Sequence, residues 1–274
     1  MTDPDTTAKL VATFGNVAST YDTAIPYFAT FGRWLVDVAR ASPGEMVVDV
    51  AAGRGASTIP AAEAVGPRGR VLGIDLAGEM VAALGEEIRR RRITNASAER
   101  MDAEKLDLAD ASCDLVLCGF MLQLLPDPSV VVAEFRRVLR SGGRCAVSVP
   151  LAGRGTASLL HDVMARYVSG TPTSSLVMST RTPAGPPRDI GRLLRHAGFD
   201  NVTVIDGSAT FCVPSPDAWW RWASSTGIDL LFETVPTEMR EEARAAAHDH
   251  VRRAIGSGGL SLEQSVRFAT GSIP

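Results

Sequence analysis

The residues whose types and spacing point most directly to chemistry lie in Met46–Gly55, MVVDVAAGRG. Met46-Val47-Val48-Asp49-Val50 is an apolar run of the kind buried on both faces of a parallel sheet. Ala51-Ala52-Gly53-Arg54-Gly55 follows, a loop with little side chain apart from Arg54, and a helix-like segment starts at Ser57. Strand, glycine-rich turn and helix together bring backbone N–H groups close to a nucleotide-like ligand. The next strand-like run, Arg70–Ile74, ends in Asp75, twenty residues after Gly55. A carboxylate there can accept both hydroxyls of a ribose. Two cofactor classes share this arrangement. The dinucleotide fingerprint needs a third small residue where Gly53-Arg54-Gly55-Ala56-Ser57 is followed by Thr58, which weighs against a nicotinamide cofactor.

The elements that must position these residues are legible as a series. Helix-like Ser57–Val65 leads to strand-like Arg70–Asp75, then helix Glu79–Arg92 and an edge-side strand Ala96–Met101. Cys113–Cys118, helix Ser129–Arg140 and strand Arg144–Val149 continue the series, with Ser141-Gly142-Gly143 as the turn between the last two. Repeated βα units with short turns predict an α/β, doubly wound, mainly parallel sheet with its ligand at the strand carboxyl ends. Before the sheet, Val11, Phe14, Val17 and Ala18, and then Phe28, Phe31, Trp34, Leu35 and Val38, follow helical spacing. After it come a helix candidate, Ser158–Val168, a Thr/Ser/Pro-rich stretch to Pro187, and a helix, Asp189–Ala197. Phe199–Ile205 reads as a strand extendable to Val213, Pro214–Ile255 as a helical insert, and Leu262–Ala269 as a last strand able to close the sheet antiparallel. The expected organisation is a helical cap over 1–41 and a core over 42–274. Within that core, 151–187 and 214–256 supply lid and acceptor-pocket segments.

Composition bounds the partners. At 274 residues the chain can bury a full core. A formal charge of −3 and a pI near 5.9 offer no global field toward nucleic acid or anionic membrane. The run Arg89–Arg92 sits in the last turn of a helix, where cations complement the dipole in water, and no aromatic residues interleave with it. Four cysteines (Cys113, Cys118, Cys145, Cys212) show no metal-type spacing, and no metal is expected. The first residues, MTDPDTTAKL, lack a charged-then-apolar signal pattern, and every apolar run falls short of the roughly 18 residues of a membrane span. A cytoplasmic protein, monomeric or homodimeric, is the expectation. Lys9 and Lys105 are the only lysines among 28 basic residues, a bias typical of a GC-rich bacterial genome.

Asp49-Val50-Ala51-Ala52-Gly53-Arg54-Gly55 resembles the D-x-G-x-G-x-G loop of class I S-adenosylmethionine (SAM) methyltransferases, with Ala51 in place of the first glycine. Further matches extend the resemblance to the ubiquinone/menaquinone-methyltransferase branch. Phe14, Val17, Ala18, Tyr21 and Asp22 match its F-x-x-V/I-A-x-x-Y-D; Asp102-Ala103-Glu104-Lys105-Leu106 matches D-A-E-x-L. Asp114, Leu122, Leu125, Pro126, Asp127 and Pro128 match the segment ending L-H-H-L-P-D-P, although Gln123-Leu124 replaces His-His. The resemblance implies a Rossmann-like, seven-stranded sheet with an antiparallel last strand, and SAM as cofactor, leaving as S-adenosylhomocysteine. It further implies that Asp49, Ala51, Gly53 and Gly55 cradle the methionine part and that Asp75, with Leu76 and Met80 beside it, takes the ribose. Met101, Asp102 and Ala103 would hold the adenine, Tyr21 would reach the methionine end, and Gly119 and Phe120 would border the reacting end.

Methyl transfer is an in-line displacement at an activated carbon, so the protein's task is alignment and exclusion of water. A phenol or enolisable carbon needs little else; an aliphatic hydroxyl needs a general base. His161, on a helix just after the fifth strand, is the best placed base among His161, His196, His248 and His250. Tyr21, Phe28, Gln123, Trp219 and Trp222 are the candidates for acceptor contact. The expected activity is methylation of a small molecule such as a quinone, polyketide or other secondary metabolite, on oxygen, carbon or nitrogen. Two alternatives stand beside it: a SAM-binding enzyme catalysing a cyclisation, pericyclic or elimination step, and a non-catalytic SAM-binding subunit. The missing His pair keeps the first of these in play.

Overall fold

A computed structural model describes residues 4–151, 160, 163–164, 166–167, 189–225, 232, 235–255 and 259–274. Two helices precede the sheet, α1 (Pro4–Val17) and α2 (Tyr27–Ala39). Then follow β1 (Met46–Val50), α3 (Thr58–Val65), β2 (Arg70–Asp75), α4 (Gly78–Arg90), β3 (Ala96–Arg100), β4 (Cys113–Gly119), α5 (Pro128–Val138) and β5 (Leu139–Pro150). The remainder comprises α6 (Ile190–His196), β6 (Asp200–Val213), α7 (Pro216–Ser225), α8 (Arg240–Ile255) and β7 (Leu260–Ser272).

The seven strands run in the order β3-β2-β1-β4-β5-β7-β6. β1 pairs in parallel with β2 and β4, so the order reverses beside β1, which is where such sheets open a ligand crevice. β7 lies antiparallel between β5 and β6, which makes the expected closure an inserted strand rather than an edge. Two boundaries differ from the sequence reading. The helix expected to reach Arg140 ends at Val138, because Leu139 already pairs with Cys113 and β5 begins there, with the glycine turn at Gly142 (φ 75°) carried inside the strand. The helix expected to reach Arg92 stops at Arg90, and Arg92 turns left-handed (φ 55°). Its arginines pair with Glu86 and Glu87 of the same helix.

Both sheet faces are covered, as alternation along β4 shows. Leu115 and Leu117 join one apolar cluster with Phe31, Leu35, Trp219, Trp222 and Phe268. Val116 and Cys118 join the other with Phe135, Val147 and Leu194. Each such side chain contributes roughly 1.5–3 kcal/mol of burial free energy. Cys113, Cys118 and Cys145 are buried within the second cluster, as small core residues.

α2 decides how the site is closed on one side. It packs so near the loop after β1 that a Cβ on Gly32 would overlap the Ala56 carbonyl oxygen. Its start is fixed by Asp22, whose carboxylate accepts from Phe28 N and Ala29 N at 2.8 Å each. Burial pushes that carboxyl up to about 6 against the pull of these bonds. The expected helix Ser158–Val168 lies almost wholly outside the described residues, as does most of 151–187.

Candidate functional site

The carboxyl ends of β1, β2 and β4, with the segment after β3, open on a cavity of about 700 Å³. That is within the range of small-molecule sites. Tyr21, Ala51, Gly53, Asp75, Leu76, Met80, Met101, Asp102, Ala103, Gly119 and Phe120 line it. Sequence reasoning had gathered all eleven. Asp49 and Gly55, expected beside them, do not line the cavity and shape the loop instead. The Asp49 carboxylate is buried beneath the loop, where Thr58 Oγ1 donates to it at 2.6 Å. Gly55 (φ 92°) packs on α4, and a Cβ there would sit 2.5 Å from Leu84 Cδ1.

The loop is held by its own backbone and by Asp75. Ala52 N donates to Ile74 O, Gly55 N to Ala52 O, and Gly53 N to Asp75 Oδ2 at 2.9 Å. Asp75 Oδ1 accepts from Ala77 N at 3.0 Å. Ala51 (φ 56°) and Phe120 (φ 55°) hold left-handed backbone immediately after β1 and β4. For non-glycine residues that costs roughly 1–2 kcal/mol each, and such strain concentrates at functional sites.

Two acidic side chains set the electrostatics. Burial raises the Asp75 carboxyl above its ordinary range, opposed by the N–H groups of Ala77, Gly53 and Leu76. Burial likewise pushes Asp49 up to about 7, with the Asp75 charge adding and Thr58 opposing. Carboxylates in that condition favour hydroxyl donors and cations nearby. An adenosyl group carrying a sulfonium and an ammonium offers both, since its ribose diol can donate to the free lone pairs of Asp75. A pyrophosphate at the same loop would face these carboxylates. The residues present therefore fit SAM, and fit a nicotinamide dinucleotide poorly.

The cavity is closed by the helical cap. Thr7, Leu10, Val11 and Phe14 of α1 line it. Tyr21 stacks on Phe28 (4.6 Å, 13°), and Phe28 meets Phe120 edge-on (5.4 Å, 90°). Phe28 thus stands behind the two rings that touch the cavity. Arg54 Nη1 donates to Ser19 O and Tyr21 O at 3.1 and 3.3 Å, fastening the α1–α2 link to the glycine loop. Burial raises the Tyr21 phenol well above its usual value, so it stays a neutral hydroxyl.

The acceptor-side expectations fare differently. Gln123 lies in the 3₁₀ turn Leu122–Leu124, buried, with Nε2 donating to Phe120 O at 2.6 Å. Trp219 and Trp222 do not line the cavity: both are buried in the core cluster beneath α7, because both fall on its inward side. Trp222 does reach the aromatic group near the site through Tyr27 (5.2 Å). His161 lies outside the described residues. His196 Nδ1 faces Arg192 O at the exposed end of α6, and His248 stacks on Trp220 at 3.9 Å. No described histidine lines the cavity. Among the described residues no group of three His, Cys, Asp or Glu side chains is disposed to hold a metal.

Three contributors escaped the sequence reading. Tyr27 touches Phe31, Phe120, Phe211 and Trp222, an aromatic hub visible in sequence only as one more apolar residue after Pro26. Phe211 enters from the far end of β6, which no local pattern could announce. Arg54 carried a signal, a long cation between two glycines, whose partner lies more than thirty residues upstream.

Residues 48–147 match the family described as "Methyltransferase domain". Over 271 residues the chain is 28% identical to nocamycin O-methyltransferase of Saccharothrix syringae, covering 95% of this chain and 97% of the relative. It is 37% identical over 161 residues to aklanonic acid methyltransferase DauC of a Streptomyces strain, covering 58% of this chain and 73% of that one. It is 30% identical over 216 residues to demethylmenaquinone methyltransferase of Listeria monocytogenes, covering 73% and 91%.

Proposed function

The chain belongs to the SAM-dependent methyltransferases that act on small molecules, and from that premise we propose O-methylation of an acidic oxygen, a carboxylic or vinylogous acid on a polyketide-like acceptor. When bound, SAM supplies a methyl carbon activated by its sulfonium. The observation that carries the finer reading is the absence, among the described residues lining the cavity, of any histidine or lysine able to take a proton. An acceptor oxygen that ionises by itself needs none. The printed names of two relatives, an O-methyltransferase and an aklanonic acid methyltransferase, point the same way. They also favour methyl transfer over the cyclisation, elimination and non-catalytic readings.

In this reading Asp75 accepts the ribose hydroxyls, and Asp102 accepts the adenine amino group, with Met101 and Ala103 against the ring. Gly53 and Ala51 let the backbone approach the methionine part, while buried Asp49 and Asp75 make the region hospitable to positive charge. Tyr21 and Phe120, braced by Phe28, border the reacting end and keep water out. Residues 1–41 act as a cap, supported by the α1 side chains in the cavity wall. The test is incubation with methyl-deuterated SAM and a panel of polycyclic carboxylic acids, β-diketones and phenols. Label on an oxygen of an acid supports the reading; label on carbon or nitrogen, or on neutral alcohols in preference, removes it.

A further inference from the structure

The chemistry that an acceptor must carry can be read from two buried atoms, on the premise of the methyltransferase reading above. Gln123 Oε1 and Ser148 Oγ have no hydrogen-bond partner among the described residues. Gln123 is 4% exposed and Ser148 1%. An unpaired polar atom at that depth costs about 1–3 kcal/mol. Both stand beside Phe120, at the border of the cofactor cavity.

The orientation of the Gln123 amide follows from its neighbour. A carbonyl oxygen only accepts, so the end that meets Phe120 O at 2.6 Å must be the NH₂. Oε1 therefore faces elsewhere with both lone pairs free, and it too can only accept. Ser148 is tied to the same place, since its carbonyl accepts from Phe120 N at 2.9 Å. Its hydroxyl shares a sheet face with Gly119, where a Cβ would lie 3.6 Å from Ser148 Oγ. Gln123 and Ser148 do not line the cofactor cavity. On the side of α2, the Phe120 ring meets Tyr27, Phe28 and Phe31 at 5.6, 5.4 and 5.8 Å. Tyr27 extends that aromatic wall to Phe211 and Trp222 at 5.4 and 5.2 Å.

We infer that Gln123 and Ser148 form a hydroxyl-recognition subsite at the foot of this wall, selecting flat acceptors that carry an O–H beside the oxygen to be methylated. Gln123 Oε1 takes that O–H; a ketone or ether oxygen in its place would meet Oε1 lone pair to lone pair. Ser148 Oγ, donor and acceptor both, supplies the hydroxyl's second bond. The surrounding rings offer faces and edges to a planar body. Discrimination follows from burial, because an analogue without the hydroxyl leaves both protein atoms stranded.

The test uses the full chain saturated with S-adenosylhomocysteine and two probes differing by one hydroxyl, 3-hydroxy-2-naphthoic acid and 2-naphthoic acid. Binding is read by calorimetry and by quenching of tryptophan emission. The hydroxy acid is expected to bind about tenfold tighter to the native protein. Gln123→Leu should bring the ratio to about one, and Ser148→Ala should lower it, each with S-adenosylhomocysteine affinity held within about twofold. Ser148→Ala keeps the comparison available if Gln123→Leu, which also loses the bond to Phe120 O, fails to fold. Equal binding of the two acids, a ratio unchanged by either variant, or no binding of either acid to the loaded protein would overturn the subsite while leaving the methyltransferase reading intact. Failure of S-adenosylhomocysteine itself to bind would remove both.

Discussion

Replacement of Asp75 by alanine probes the site where its parts converge. The carboxylate pins the glycine loop through Gly53 N (2.9 Å) and the next helix through Ala77 N (3.0 Å), and it lines the cavity with its remaining lone pairs. Two ribose hydroxyls donating to it would form charge-assisted bonds, each worth about 1.5–3 kcal/mol. Burial has already raised the energy of this charge, so the lower end applies to both. The loss is then about 3 kcal/mol, or about 150-fold in dissociation constant. Calorimetric titration with S-adenosylhomocysteine reads it directly, with thermal denaturation to establish that the variant is folded. Asp75→Asn should fall between, since the amide keeps one acceptor and turns the other into a donor. A folded Asp75→Ala protein whose affinity stays within about threefold of native, against the bond strengths assumed, would refute the assignment of Asp75 to the ribose.

Other perturbations have equally definite outcomes. Arg54→Ala removes two bonds to the link carrying Tyr21, and at roughly 0.5–1 kcal/mol each for so exposed a cation should weaken S-adenosylhomocysteine binding about five- to thirtyfold; an unchanged constant would show that the link stays put without them. Gly32→Ala forces α2 off the Ala56 carbonyl and should cost about 1–3 kcal/mol, seen as a lower denaturation midpoint; a midpoint equal to native would mean the helix yields freely. Asp49 is raised from 3.8 to about 7, so between those values the unfolded chain has lost a proton that the folded chain keeps, and stability falls as pH rises through that window. Asp49→Asn should therefore flatten the apo protein's urea stability between about pH 4 and 7 and exceed native above it by roughly 2–4 kcal/mol. Parallel profiles for the two proteins would contradict this burial of the charge.

Much of the fold was legible because its information is local. Each βα unit announces itself by a strand-length apolar run, a glycine or polar turn and helical spacing, so β1 to β5 fell within one or two residues except where β5 borrows Leu139 from the preceding helix. The cofactor-side residues were legible for the same reason, since they follow strand ends at fixed positions. Asp49 was misjudged because sequence gives its strand but not that its side chain turns under the loop to Thr58. Trp219 and Trp222 were misjudged because a helix with three tryptophans in four residues buries two before any can line a cleft, and only the packing partner decides which. The aromatic wall was invisible: Tyr27, Phe120 and Phe211 come from three distant segments, and their meeting is a property of the sheet order. Gln123 was noticed as a departure from a histidine pair, whereas its role depends on the direction of an amide fixed by Phe120.

The most direct test of the central claim is mass spectrometry of the small molecule carried by the natively purified protein, followed by titration with SAM, S-adenosylhomocysteine and NAD. The account predicts a one-to-one adenosyl complex with either sulfur ligand and no response to NAD. Binding of NAD, or of neither sulfur ligand, would contradict it, because the loop, Asp75 and Asp102 would then serve another purpose.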